Sequence, residues 1–256
     1  MKRIATAAVM IPVFVWVILF APFEAFRAAL VIVGALAYLE FHQLARACGG
    51  GGAVLEPALG IVAGVALLYS PEPALAILLT AVAAMALALR SQNLKDALPA
   101  SAALVLGVLY IFGAWRAAVE LRAMSAHWLM LAMLLSWAGD TFAFYTGKAI
   151  GRHKLAPRIS PAKTVEGSLG SVIGAMLAGF LYAHYLIPSA TLTQVLVASA
   201  VGNVAGQLGD LCESAFKRGA GVKDSGTLLP GHGGWLDRID SSLFALPVVY
   251  ACLRWL

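Results

Sequence analysis

The sequence predicts an all-α, polytopic transmembrane helix bundle, and three observations carry that prediction. Of the 256 residues, 61% are hydrophobic and only 12% charged, against roughly one quarter charged in an ordinary soluble domain. The mean hydropathy is +0.85. Apolar runs long enough to cross a hydrocarbon core of about 30 Å, which takes about 20 helical residues, recur along the whole chain.

About nine such runs can be drawn, at 5–22, 27–46, 57–71, 74–91, 98–117, 127–147, 168–187, 192–216 and 235–255. The third is short and rich in glycine. Lys2 and Arg3 stand before "IATAAVMIPVFVWVILF" in the manner of a signal peptide. The run is long and no clear small-x-small cleavage site follows it, so an uncleaved first span is expected. "CGGGGAVLEP", Cys48 to Pro57, reads as a cytoplasmic connection, and Pro71 with Pro73 marks a tight external turn.

The basic residues test the alternation of loops. With the N-terminus inside, Lys2, Arg3, Arg46, Arg90, Lys95, Lys148, Arg152, Lys154, Arg158, Lys163, Lys217, Arg218, Lys223 and Arg238 face the cytoplasm, and Arg27, Arg116, Arg122 and Arg254 face outward, 14 against 4. That bias predicts an N-in, C-out topology, and the expected location is the plasma (inner) membrane. The net charge of +5 therefore reflects topology and an anion-facing cytoplasmic surface. No soluble basic domain exists to carry a nucleic acid. Cys48, Cys212 and Cys252 lack CxxC or Cys/His spacing and predict neither disulfides nor zinc.

Polar residues divide the single integral-membrane domain, 1–256, into two parts. Residues 1–125 are mainly scaffold spans, in which Glu40 and His42 of "YLEFHQLAR" read as interfacial or paired side chains. Residues 126–256 hold Asp140, Glu166, Asp210, Glu213, Asp224, Asp237 and Asp240, seven of the thirteen acids. An ionisable group in lipid costs at least about 2.5 kcal/mol, so it faces the bundle interior and pairs with a cation, a metal or water. Asn203, Gln207, Asp210, Ser214 and Lys217 follow at spacings of 4, 3, 4 and 3, one helix face, with small residues nearby that admit close neighbours. Asp237, Asp240 and Ser241 share a face in the last span. With a rise of about 1.5 Å per residue, Asp140 and Asp210 lie about 5 and about 9 Å to the cytoplasmic side of their span centres.

The loops add cations and glycines. "PGHGGWLD" places exposed N–H groups before a helix N-terminus, an anion site in principle. Lys217, Arg218, Lys223 and Arg238 adjoin it and suit phosphate oxygens. "RHKLAPRISPAKTVEG" brings Lys163, Thr164 and Glu166 to the seventh span. Carboxylates beside cations at a membrane surface are the parts of metal-assisted phosphoryl or nucleotidyl transfer. Residues alone thus lead to a membrane enzyme handling a phosphorylated lipid. A cation-coupled transporter would use the stripe from Asn203 to Lys217 but leave the glycine turn and basic loops idle, and its key charges would lie nearer the midplane. A scaffold whose acids simply pair with Arg238 or Lys217 would tolerate paired charge removal.

"SAFKRGAGVKDSGTLLPGHGGWLDRID", Ser214 to Asp240, resembles the signature of the phosphatidate cytidylyltransferases, the CDP-diacylglycerol synthases. Its elements S-x-x-K-R, K-D-x-G and H-G-G-x-x-D-R-x-D are met by Ser214, Lys217 and Arg218, by Lys223, Asp224 and Gly226, and by His232, Gly233, Gly234, Asp237, Arg238 and Asp240. "GDTFAFYTGKAIGRHKL", "SPAKTVEG" and "GQLGDLCES" are similar to family segments as well, with Ala162 a departure where many relatives have Lys.

The resemblance implies a nucleotidyltransferase of phospholipid biosynthesis that moves cytidylate from CTP to phosphatidate, giving CDP-diacylglycerol and pyrophosphate at a Mg²⁺-dependent cytoplasmic site. It assigns Asp210 and Asp237 to the metal, with Lys217, Asp224 and Asp240 beside them in the catalytic set. Lys163, Thr164, Ser214, Arg218, Lys223, His232, Gly233, Gly234 and Arg238 would bind substrate, and Asp140 would bound the deep end. It also implies a homodimer and leaves open a second, monovalent ion, the acyl preference and an alternative lipid phosphate acceptor such as an isoprenoid-linked one.

Overall fold

The structure is a computed structural model that describes residues 2–49, 56–229 and 233–256. Each of the nine apolar runs is helical. In chain order the helices are α1 (Lys2–Leu19), α2 (Phe23–Ala47), α3 (Glu56–Tyr69), α4 (Pro73–Ala88), α5 (Ala97–Gly107), α6 (Ala114–Met124), α7 (Ala126–Ile150), α8 (Val165–Leu186), α9 (Leu192–Gly219) and α10 (Leu236–Trp255). A single 3₁₀ turn, Leu94–Asp96, leads into α5, and a π-helical stretch, Val108–Gly113, joins α5 to α6. Among the described residues five helical stretches are long and apolar enough to cross a membrane: Phe23–Ala47, Leu94–Met124, Ala126–Ile150, Val165–Leu186 and Leu192–Gly219. Met10–Leu19, Pro57–Tyr69 and Pro73–Ala88 are shorter apolar helices.

Two features depart from the sequence reading. The fifth run continues as helix to Met124, past the polar Glu120 and Arg122, because helical hydrogen bonding does not stop where hydrophobicity does. The basic loop after α7 holds an antiparallel hairpin, β1 (Lys154–Ala156) with β2 (Ser160–Thr164), pairing Lys154 with Thr164 and Ala156 with Ser160.

Helix starts follow from local chemistry. Pro73 opens α4, where its missing N–H costs nothing. Ser125 accepts from His127 N at 3.2 Å before α7. Thr191 and Gln194 form a reciprocal capping box before α9, Gln194 N donating to Thr191 Oγ1 and Thr191 N to Gln194 Oε1, both at 3.1 Å.

The chain forms two compact units. The first comprises residues 1–17, 21–116 and 216–239. Its core is aromatic: Tyr38 of α2 and Phe112 of the π-helical stretch, both essentially buried, hold their rings 6.2 Å apart at 46°. Gly60 and Gly64 of α3 sit directly against these rings, where a Cβ would overlap them.

The second unit comprises residues 18–20, 117–215 and 240–256. Helices α7 and α8 pack along most of their length, with Gly167, Gly170 and Gly174 of α8 against Ala143, Thr146 and Phe142 of α7. Small residues at this spacing replace the hydrophobic drive that lipid does not supply between helices. Residues 192–215 of α9 pack likewise on residues 240–255 of α10, through Gly202 on Val249, Gly206 on Ser241 and Gly209 on Phe244.

Candidate active site

The polar residues singled out by the sequence gather into one cluster in each unit. In the second unit a cavity of about 360 Å³ is lined by Asp140 and Lys148 of α7, Lys163 and Thr164 of β2, Ser168 of α8, and Gln207 and Asp210 of α9. Lys163 Nζ is ion-paired with Asp210 Oδ2, each side chain 29% exposed. Ser214 Oγ stands 3.4 Å from Asp210 Oδ1. Thr164 caps α8, its Oγ1 accepting from Gly167 N at 3.1 Å, which leaves its hydroxyl proton to be donated elsewhere.

Two further networks hold this cavity. The Glu166 carboxylate accepts from Arg152 N at 3.0 Å and pairs with His153 Nδ1 at 2.6 Å, tying the end of α7 to the start of α8. Below Asp210 on α9, Gln207 Oε1 accepts from Ser168 Oγ at 2.5 Å, Gln207 Nε2 donates to Asn203 Oδ1 at 2.8 Å, and Asn203 Nδ2 donates to Leu135 O at 3.2 Å. Of the stripe read from the sequence, Asn203 and Gln207 thus form a satisfied hydrogen-bond chain that fixes the amide of Gln207 at the cavity wall, while Asp210 pairs with Lys163 and Lys217 belongs to the first unit.

In the first unit the cluster is built around Asp237 on the first turn of α10. Its Oδ2 accepts from Ser225 N at 2.9 Å, Ser225 Oγ at 2.9 Å and Gly234 N at 2.8 Å, and Lys217 Nζ donates to Oδ1 at 2.6 Å. The two side chains of this pair are 11% and 4% exposed, so it lies well inside the protein. Arg218 Nη1 donates to Val222 O at 3.0 Å and holds the turn that ends α9. That turn needs Gly221, whose φ is +73°. Lys223, Asp224 and Arg238 are exposed. Leu229 N donates to Gly233 O at 3.0 Å, closing the glycine loop on Gly233 at φ +79°. His232 lies outside the described residues. Asp240 falls in the second unit, where its Oδ1 accepts from Ser241 N at 2.7 Å.

Sequence reasoning missed Glu40 and Ser225. Glu40 of α2 is 3% exposed and accepts from Ser225 Oγ at 2.9 Å, Trp235 N at 3.0 Å and Leu236 N at 2.9 Å. The signal for it was an acid set in a long apolar helix; its partners, nearly 200 residues later, left no trace in local spacing.

The donor sets differ in how well they fit Mg²⁺. Among the described residues no three His, Cys, Asp or Glu side chains converge as a metal cage. Mg²⁺ does not require one, since it is held by one or two carboxylates and keeps water and substrate phosphate in its shell. Asp210 and Asp140 line one cavity and fit that description. Asp237 fits less well: its four protein donors match the roughly four lone-pair sites of a carboxylate, and a cation there would share Oδ1 with Lys217.

Long apolar helices that carry two carboxylate–lysine centres and a glycine-rich basic loop define a helical membrane protein with polar, phosphate-compatible chemistry. The chain belongs to the cytidylyltransferase family, whose model matches residues 1–256. It is similar to the phosphatidate cytidylyltransferase of Staphylococcus saprophyticus, 42% identical over 144 residues, which are 56% of this chain and 53% of that one. The Staphylococcus aureus protein of the same name is 43% identical over 130 residues, 51% of this chain and 50% of the relative. The chain thus spans about half the length of the curated relatives it matches.

Proposed function

We propose that this protein transfers cytidylate from CTP to phosphatidate, forming CDP-diacylglycerol and pyrophosphate in phospholipid biosynthesis. The observation that carries the reading is the stretch Ser214–Asp240, which resembles the family signature and whose described residues hold the buried Lys217–Asp237 pair and present Lys223 and Arg238 to solvent. The staphylococcal relatives, named phosphatidate cytidylyltransferases, support the same acceptor. The protein would span the plasma membrane about nine times, N-in and C-out, with its chemistry on the cytoplasmic side and as a homodimer.

In the reaction a phosphate oxygen of phosphatidate attacks the α-phosphorus of CTP in line, and the bond from that phosphorus to the β-phosphate oxygen breaks, releasing pyrophosphate. A phosphate monoester is already substantially dianionic at pH 7, so no general base is assigned. Mg²⁺, held by Asp210 with Asp140, would neutralise phosphate charge and orient the leaving group. Asp237, which the family resemblance assigns to the metal, orients Lys217 within the first unit, and Asp224 and Asp240 are given supporting roles. Lys163 keeps Asp210 aimed at the cavity, and the Thr164 and Ser214 hydroxyls supply neutral donors. Lys217, Arg218, Lys223 and Arg238 bind phosphate oxygens, and His232 with Gly233 adds loop donors, whereas the Gly234 N–H that the resemblance assigns to substrate is taken by Asp237.

The test is pyrophosphate release by the purified full-length protein in lipid micelles, with CTP, phosphatidate or Mg²⁺ omitted in turn. Release that needs all three supports the reading. Release with an isoprenoid phosphate in place of phosphatidate would reassign the acceptor, and no release from folded protein with either lipid would refute it.

A further inference from the structure

Nothing in the proposed reaction uses Glu40, yet it is among the few charged side chains buried in the first unit, at 3% exposure. The N–H groups of Trp235 and Leu236 that it accepts open α10, and an N-terminal turn leaves such donors without partners within its own helix. A residue near the end of α2 therefore does what a local cap residue does for other helices. Ser225 stands between the two acids, its Oγ 2.9 Å from both Glu40 Oε2 and Asp237 Oδ2. One hydroxyl proton serves one oxygen at a time, so the two carboxylates share a single donor.

The loop is also moulded on this carboxylate. A Cβ at Gly226 would lie 2.5 Å from Glu40 Oε1, and one at Gly234 would overlap Oε2. Glu40 thus meets the signature loop at Ser225, Gly226, Gly234 and the start of α10, the segments that also hold Asp237.

We propose that Glu40 is a positioning residue, which fixes the segments 224–229 and 233–236 and the placement of Asp237 without touching substrate. Its effect on turnover rests on the cytidylyltransferase reading; its hold on the loop does not. The experiment uses the full-length protein in micelles and the variants Glu40→Gln, Ser225→Ala and the double variant, read by steady-state kinetics and by amide hydrogen exchange. Glu40→Gln keeps the size but offers an NH₂ to donors that need acceptors. It should lower kcat on the order of 30-fold while KM for phosphatidate stays within about twofold. Exchange should rise in peptides covering 224–236 and stay at the parental rate in those covering 154–164. Ser225→Ala should lower kcat by about fivefold, and the double variant should lose less than the product of the two, since both act on one network.

Parental kcat in Glu40→Gln, unchanged exchange at 224–236, or exchange raised equally throughout the chain would each overturn the proposal. Should Glu40→Gln not fold, Ser225→Ala decides by the same two readouts. A parent that releases no pyrophosphate defeats the cytidylyltransferase reading instead, and the exchange pattern then still decides whether Glu40 holds the loop.

Discussion

Replacing Asp237 with Asn removes one charge from a pair whose atoms are 2.6 Å apart and whose side chains are 11% and 4% exposed. At an effective dielectric constant of about 20 the gross attraction at that distance is about 6 kcal/mol. Desolvation of the two ions offsets much of it, but the offset is not recovered when only one partner goes. Breaking such a pair from one side costs about 3 kcal/mol. The Asn carbonyl can still accept from Ser225 N, Ser225 Oγ and Gly234 N, so the loss is confined to the Lys217 contact. For a chain of this length about 3 kcal/mol corresponds to a fall in Tm of about 6–12 °C. Tryptophan fluorescence during thermal unfolding in detergent measures it, with Lys217→Met and the double variant alongside. The double variant should regain at least half of the lost Tm, because a buried pair replaced on both sides is close to neutral, while pyrophosphate release stays absent. A fall of less than 2 °C in Asp237→Asn, or simple addition of the two single losses, would refute the assignment of Lys217–Asp237 as a buried, coupled pair.

Other outcomes follow from the same geometry. Asp210→Asn should abolish pyrophosphate release yet shift Tm by little, since its pair with Lys163 is 29% exposed on both sides and such pairs contribute about 1 kcal/mol or less; a large Tm loss with retained turnover would reverse the roles given to the two acids. Thr164→Ala should cost about 1 kcal/mol through the lost α8 cap, with Thr164→Ser restoring most of it, as read by Tm. Gly234→Ala should disable turnover and raise loop exchange, because the added methyl overlaps Glu40 Oε2 and Ser225 Oγ; normal kinetics in that variant would show that the loop has another stable course.

The length of the apolar runs and their polar interruptions made the helices legible, since each run is helical and most ends fall within a few residues of those drawn. Two elements escaped for physical reasons. The strands Lys154–Ala156 and Ser160–Thr164 are too short and too basic to show alternation. The helix through Glu120 and Arg122 outlasts its own hydrophobic stretch. Within the candidate site, contacts between near neighbours were readable: Asp210 with Ser214 at i, i+4, and Gln207 with Asn203. Contacts that cross the chain were not. The spacing of Lys163 says nothing of Asp210, 47 residues on, and Glu40 could be read as interfacial or paired but not matched to its partner, because Ser225 is 185 residues away.

That last separation sets an order of events during synthesis. Trp235 follows Glu40 by 195 residues, and at about 5–20 residues per second the ribosome needs about 10–40 s to reach it. Once α2 has left the ribosome it carries, for the rest of that interval, a carboxylate whose eventual donors do not yet exist. The nascent chain must shelter that acid in water, in the insertion machinery or against other helices until α10 is made, so the signature loop is the last part of the first unit to settle. A chain interrupted before residue 235 would retain an apolar helix with an acid that lacks its Trp235 and Leu236 donors, a mark by which membrane quality control could tell unfinished molecules from finished ones.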